Sequence, residues 1–328
     1  MTHRAGFSIP LHGVPLRDHR TILERAPDWG YTDVWTAESA GPDAFTPLAL
    51  AAAWSPSLRL GTSVVPAQTR GPATLAMTAA TLGEATQGGV VLGIGASGPP
   101  FVEDINGIPF RDPYRRVRDT ARFLRTAFRG EVVQGSFDTF DIKRFQLSTL
   151  PAEAPRVMLG ALRPGMLRLA ARESEGAITN VLTVEDVPRV VREFRTGSTH
   201  QELIGRFFVC PTPDRELGRT IGRQVLTPML MARTYWAFHE WLGRAELLKP
   251  MREAWLAGDW HRAQLLLPDA LVDELFVHGS PQDCREHLDR FVAAGIDTTI
   301  IALIPSPEFD QGLPGAMAAL HALAPSGS

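Results

Sequence analysis

Two apolar runs, LRLGTSVVP (58–66) and GGVVLGIGAS (88–97), end in small or hydroxyl-bearing residues: Ser63 in the first, and Gly95, Ala96 and Ser97 in the second. Small side chains at such points let a bound molecule approach the main chain. Two other residues have proton-transfer chemistry. Glu38 closes the run TDVWTAE and His12 follows AGFSIPL; a carboxylate or an imidazole at a strand tip suits general acid–base work. For Glu38 a structural ion pair is the competing reading. Gly93-Ile94-Gly95-Ala96-Ser97-Gly98 matches the G-x-G-x-x-G of dinucleotide-binding loops. That fingerprint needs a helix to open at once, so that its first N–H groups receive a pyrophosphate. Pro99-Pro100 follow instead, and Pro99 disfavours helical geometry at Gly98, so the glycines are better explained as admitting something flat.

Other machineries are missing. His239-Glu240 begins an H-E-x-x-H motif without its second histidine, which leaves no zinc spacing and no metal expected. Ser97 sits in G-A-S-G rather than in a G-x-S-x-G elbow. Gly61-Thr62-Ser63 lacks the glycine spacing and lysine of a phosphate-binding loop.

The elements that must position these residues alternate along the chain. The two opening runs are joined by one helix-length segment beginning near Pro72, a βαβ unit whose strands must be parallel. Before it, AGFSIPL (5–11) reads as a strand with a helix behind it that ends at Gly30. TDVWTAE (32–38) reads as the next strand, followed by a helix with Asp43 at its N-cap. After it comes a helix with Val117, Ala121, Leu124 and Phe128 at helical spacing. Residues 131–155 break the rhythm as a hairpin-like excursion. RVMLGAL (156–162), GAITNVLT (176–183) and ELIGRFFVC (202–210) continue the strands, with VEDVPRVVREFRTG (184–197) as a helix between the last two. Residues 213–279 are helix-rich, Ser280, Pro281 and Gly295 bracket one more helix, and TTIIALIP (298–305) is the last strand. Eight βα repeats without a boundary linker favour one closed (β/α)8 barrel spanning 1–328 over an open sheet. In a barrel the site lies at the C-terminal strand ends, which collects His12, Glu38, Ser63, Val64, Gly95–Ser97, the stretch Leu159–Arg163, Asn180, Cys210 and Ile304.

Charge narrows the partners: 33 basic against 36 acidic side chains leave −3, which argues against nucleic acid or an anionic membrane surface. Two cysteines without a C-x-x-C partner fit a reducing compartment, and no run approaches the ~20 apolar residues of a membrane span. A cytoplasmic protein is the expectation.

The succession of TDVWTAE, LRLGTSVVPAQTRGPATLAMTAATL, GGVVLGIGASG, VMLGALRPGMLRLAARESEGAITN and LVDELFVHGSPQDCREHLDRFVAAGIDTTIIAL resembles the luciferase-like flavin and deazaflavin oxidoreductases over nearly the whole chain. It is most similar to the branch that uses the 5-deazaflavin coenzyme F420, with the FMN-dependent monooxygenases as the close alternative. The resemblance implies a (β/α)8 barrel with an excursion and a helical insertion before the last strand. It implies a non-prolyl cis peptide joining Ser63 to Val64, bulging against one face of the cofactor ring and leaving the other for substrate. Gly95, Ala96 and Ser97 would lie along the ring edge. Gly160, Ala161, Leu162 and Arg163 match the segment that holds the cofactor phosphate, through backbone N–H groups and the start of the following helix, with Arg163 adding charge. The family places a proton-transfer residue after the second strand, where this chain reads Glu38-Ser39-Ala40, so that residue is not simply inherited.

The implied activity is hydride transfer between reduced F420 and a small organic substrate at C=C, C=N or C=O, with Glu38 or His12 as candidate proton donors. With FMN it would be monooxygenation by reduced flavin and O2, which needs a separate flavin reductase. A non-catalytic cofactor-binding protein on the same barrel is the third reading. Family habit suggests a homodimer.

Overall fold

The structure, a computed structural model, describes residues 3–195, 201–307, 309 and 312–325. Eight parallel strands run through it: β1 (Arg4–Ser8), β2 (Asp33–Thr36), β3 (Arg59–Thr62), β4 (Val90–Gly95), β5 (Arg156–Gly160), β6 (Gly176–Asn180), β7 (Glu202–Pro211) and β8 (Thr298–Leu303). Each pairs with the next and β8 returns to β1, so the sheet closes into the expected barrel.

Alternation along each strand builds the interior in three tiers. The middle tier is Trp35, Val91, Met158, Ile178, Ile204 and Ile300. Gly61 stands where the Trp35 ring crosses β3; a methyl group there would come within 2.2 Å of the ring. Two residues earlier on the same strands stand Asp33, Arg59, Arg156, Glu202 and Thr298, a charged floor. Arg59 forks onto the two oxygens of Glu202 (3.0 and 2.8 Å), Arg156 adds a bond to Oε2 (2.5 Å), Thr298 donates to Oε1 (2.6 Å), and Arg59 also pairs with Asp33. Two residues later than the middle tier come Ser63, Asn180 and Arg206 at the open mouth. The outward faces, among them Leu60, Leu92, Val157, Leu159 and Leu203, bury against the helices in the main core.

The irregular stretches fall where expected. Val133–Ser136 and Asp141–Phe145 form an antiparallel hairpin in the 131–155 excursion. Five helices between Arg215 and Leu275 make the insertion, which has its own apolar core around Leu226, Leu230, Met251, Val272 and Phe276. Val277–Gly279 then adds a short parallel strand at the end of β7. Asp43 does cap the second helix, Phe45–Trp54, one position further out than expected: its carboxylate accepts the N–H groups of Phe45 (2.9 Å) and Thr46 (3.0 Å). The helix expected over 184–197 runs Val187–Phe194, and its last two expected residues lie outside the described ones.

One expectation is corrected. A helical segment, a π-type turn over Pro100–Ile105, does open beyond Gly98. Its first positions are prolines, which carry no N–H to offer a phosphate, so the dinucleotide reading fails for want of donors as well as on the closed barrel.

Candidate functional site

The third barrel strand ends in a jog. The Ser63–Val64 peptide is cis, as the resemblance implied. Ser63 donates its N–H (2.6 Å) and its hydroxyl (3.3 Å) to the Thr36 carbonyl, and Glu38 N–H reaches the Val64 carbonyl (3.2 Å). Val65–Pro66 then pairs with the end of β4. Val64 is thereby turned onto the neighbouring strands. A methyl group at Gly95 would sit 2.6 Å from Val64 Cγ2, and one at Gly160 would sit 3.4 and 3.5 Å from its two methyls. The close approach that Gly95 permits is therefore first of all that of Val64 itself. Ala96 and Ser97 follow; Ser97 is exposed, in left-handed geometry (φ 58°).

Across β5 the main chain offers donors. Among the described residues, Leu162 and Arg163 N–H have no backbone partner, nor do those of Gly165 and Met166 in the first turn of the helix Pro164–Glu173. An anion is favoured at such a helix start. Ala161, expected among the donors, is not one: its N–H is engaged by the Ile178 carbonyl at 2.9 Å, because it still belongs to the ladder with β6. Arg163 is exposed at the N-cap, and Leu162 is half-buried.

The two acid–base candidates differ. The Glu38 carboxylate, 9% exposed, is clasped by Arg70, whose Nε lies 3.2 and 3.1 Å from its two oxygens, and it also accepts the Ala44 N–H (3.4 Å). The bond to Glu38 holds the Arg70 guanidinium above its usual pKa. The arrangement is the structural ion pair that competes with an acid–base role for Glu38. His12 is exposed and lines a cleft with Leu11, Pro211, Leu303 and Ile304. The loop bearing it is pinned by buried His19, whose Nε2 accepts Leu11 N–H (2.8 Å) while Nδ1 faces the Pro15 carbonyl (3.1 Å), which fixes one tautomer.

A second polar group stands at the mouth, where the sequence pointed to Asn180 but not to Arg206. Arg206 on β7 donates from Nε to Ser8 Oγ on β1 (3.3 Å) and lies over the Phe208 ring, 5.2 Å from its centroid. Its register partner on β6 is Asn180, whose Oδ1 accepts the hydroxyl of Tyr235 from the insertion (3.0 Å). Burial lowers the Arg206 pKa and raises that of Tyr235. Beside them Val181 stands in left-handed geometry (φ 52°), a strained state for a β-branched residue. Its carbonyl faces Nε2 of buried His239 at 3.1 Å. The readable signal was the two-residue spacing: Ile178/Asn180 and Ile204/Arg206 place polar groups one tier above apolar ones.

A family model described as luciferase-like monooxygenase matches residues 2–298. The chain belongs to that family. Its members are F420- or flavin-dependent oxidoreductases, and this protein is an oxidoreductase of the same kind. A Mycobacterium tuberculosis protein whose name assigns it provisionally to the coenzyme F420-dependent oxidoreductases is 27% identical over 319 residues, covering 88% of this chain and 91% of its own. Among solved structures, the F420-dependent tetrahydromethanopterin reductase of Methanopyrus kandleri superposes with a TM-score of 0.73 at 18% identity, over 99% of each chain. The oxygenating component of the 3,6-diketocamphane monooxygenase of Pseudomonas putida, in complex with FMN, gives 0.67 at 16%, over 99% and 97%. These two likenesses concern the fold.

Proposed function

We propose that this protein is an F420-dependent oxidoreductase acting on a small organic molecule. The observation that carries the proposal is the joining of two features at one mouth: Val64 set over Gly95 and Gly160, and four N–H groups beyond β5 that have no backbone partner among the described residues. The first is an apolar ledge fit for a flat ring, the second a cradle fit for its phosphate. When bound, the deazaflavin supplies a hydride donor or acceptor. The work of the chain is to bind and orient: Val64 supports one face of the ring site, Gly95 and Ala96 line its edge, and Leu162, Arg163, Gly165 and Met166 hold the phosphate. Tyr235, on the insertion, covers the mouth from the β6 side, where it bonds Asn180. Proton delivery falls to His12 or to water, since Glu38 is held by Arg70. The name of the mycobacterial relative favours F420 over FMN.

Fluorescence-quenching titrations of the purified protein with F420 and with FMN test the reading. Saturable F420 binding at least 10-fold tighter than FMN is expected. The reverse order would move the protein to the flavin monooxygenases, and binding of neither would end the cofactor assignment.

A further inference from the structure

Arg206 stands apart from the other arginines that the fold shelters. Arg59, Arg70, Arg118, Arg195, Arg219 and Arg244 each pair with a carboxylate. Arg116 gives its nitrogens to the carbonyls of Ala67 (3.1 Å) and Thr139 (3.3 Å). Arg206 makes one bond, from Nε to the Ser8 hydroxyl, and among the described residues neither terminal nitrogen has a partner and no carboxylate pairs with it. Arg206 is half-buried at the mouth, and a partly desolvated cation without a counter-charge favours an anionic partner; burial lowers its pKa accordingly.

Its surroundings select the kind of partner that would complete it. The guanidinium stands in the upper tier of the barrel, two residues beyond Ile204 of the apolar middle, with its carbon over the Phe208 ring. Asn180 is its register neighbour. Because the Asn180 oxygen accepts from Tyr235, its NH2 is left as a second donor beside the fork. A planar fork next to an amide donor, backed by an aromatic ring, matches the two oxygens of a carboxylate. In the ring of strands β7 lies four places from β3 in either direction, so Arg206 faces the Val64 ledge from across the mouth.

We infer that Arg206, with Asn180, anchors a carboxylate borne by the substrate, so that the enzyme acts on small organic acids. The inference rests on the cofactor reading only for which side of the mouth is the substrate side.

The test measures binding to the full chain by calorimetry, using acetate, benzoate and cinnamate against the matched acetamide, benzamide and cinnamamide. F420 is titrated in parallel. At least one acid is expected to bind 10-fold or more tightly than its amide. Arg206→Gln and Arg206→Met should abolish that preference, Arg206→Lys should keep part of it, and all three should melt within a few degrees of the parent. Equal binding of acids and amides, no binding of any acid, or an acid preference that survives in Arg206→Met would overturn the inference. Acid binding through Arg206 without F420 binding would sink the cofactor reading and leave this one standing; F420 binding without acid binding would do the opposite.

Discussion

At the scale of single residues, two glycines that look alike in the sequence have different tolerances. An added methyl at Gly95 meets Val64 Cγ2 at 2.6 Å, closer than side-chain carbons come, whereas at Gly160 it finds ordinary contact distances. Gly95→Ala must displace Val64 from its ledge. It is expected to weaken F420 binding at least 10-fold and to cost about 1–3 kcal/mol of stability, while Gly160→Ala stays within a few-fold of the parent in the same titration. Equal effects would mean that Val64 is not the ledge. The Glu38–Arg70 pair makes a second expectation. Glu38→Gln should lower stability by about 2 kcal/mol, through the loss of a sheltered charged hydrogen bond, and leave the pH profile of turnover where it was. A displaced profile would restore Glu38 as the proton donor.

Among the elements, the charged floor of the barrel and its mouth have separate duties. Removing the charge of Glu202 takes from Arg59 and Arg156 a carboxylate that both bond, and leaves Arg59 with Asp33. Glu202→Gln should therefore cost about 1.5–3 kcal/mol in chemical denaturation, without changing F420 affinity in the protein that remains folded. The order of elements was legible in the sequence because βα repeats carry their own punctuation: Gly30, Pro72, Ser280-Pro281 and Gly295 all stand at helix ends. The Ser63–Val64 jog and the β5 cradle came from resemblance to a family, since no spacing in G-T-S-V-V dictates a turned Val64. The floor and Arg206 went unread. A polar residue near the end of an apolar strand looks solvated in sequence, and only closure of the barrel puts Arg59, Glu202 and Arg206 inside it. Ala161 was misjudged for a related reason: ladder bonding continues one residue past β5 and takes its N–H.

At the scale of the whole molecule, buried histidines set the response to acid. Burial pushes His239 down to about 3 and His287 down to about 4, from 6.5 in the unfolded chain. With the folded pKa below the unfolded one, the unfolded chain binds more protons. The stability these groups contribute is thus complete above about pH 6.5 and declines as pH falls toward 4 and 3, by up to about 1.4 kcal/mol per pH unit for each. Glu202, lowered to about 2 despite its burial by the bonds from Arg59, adds a second loss as pH falls from about 4.5 toward 2. Denaturation midpoints should accordingly be flat from pH 8 to 7 and fall below 6.5, and His239→Gln should make that fall shallower; a midpoint that held steady down to pH 5 would contradict the assignment. The cofactor mouth itself is tested most directly by amide hydrogen exchange with and without F420. New protection is expected at Leu162, Arg163, Gly165 and Met166 and around residues 63–66, with none at the charged floor. Protection confined to the floor, or its absence at Leu162–Met166 under saturating F420, would contradict it.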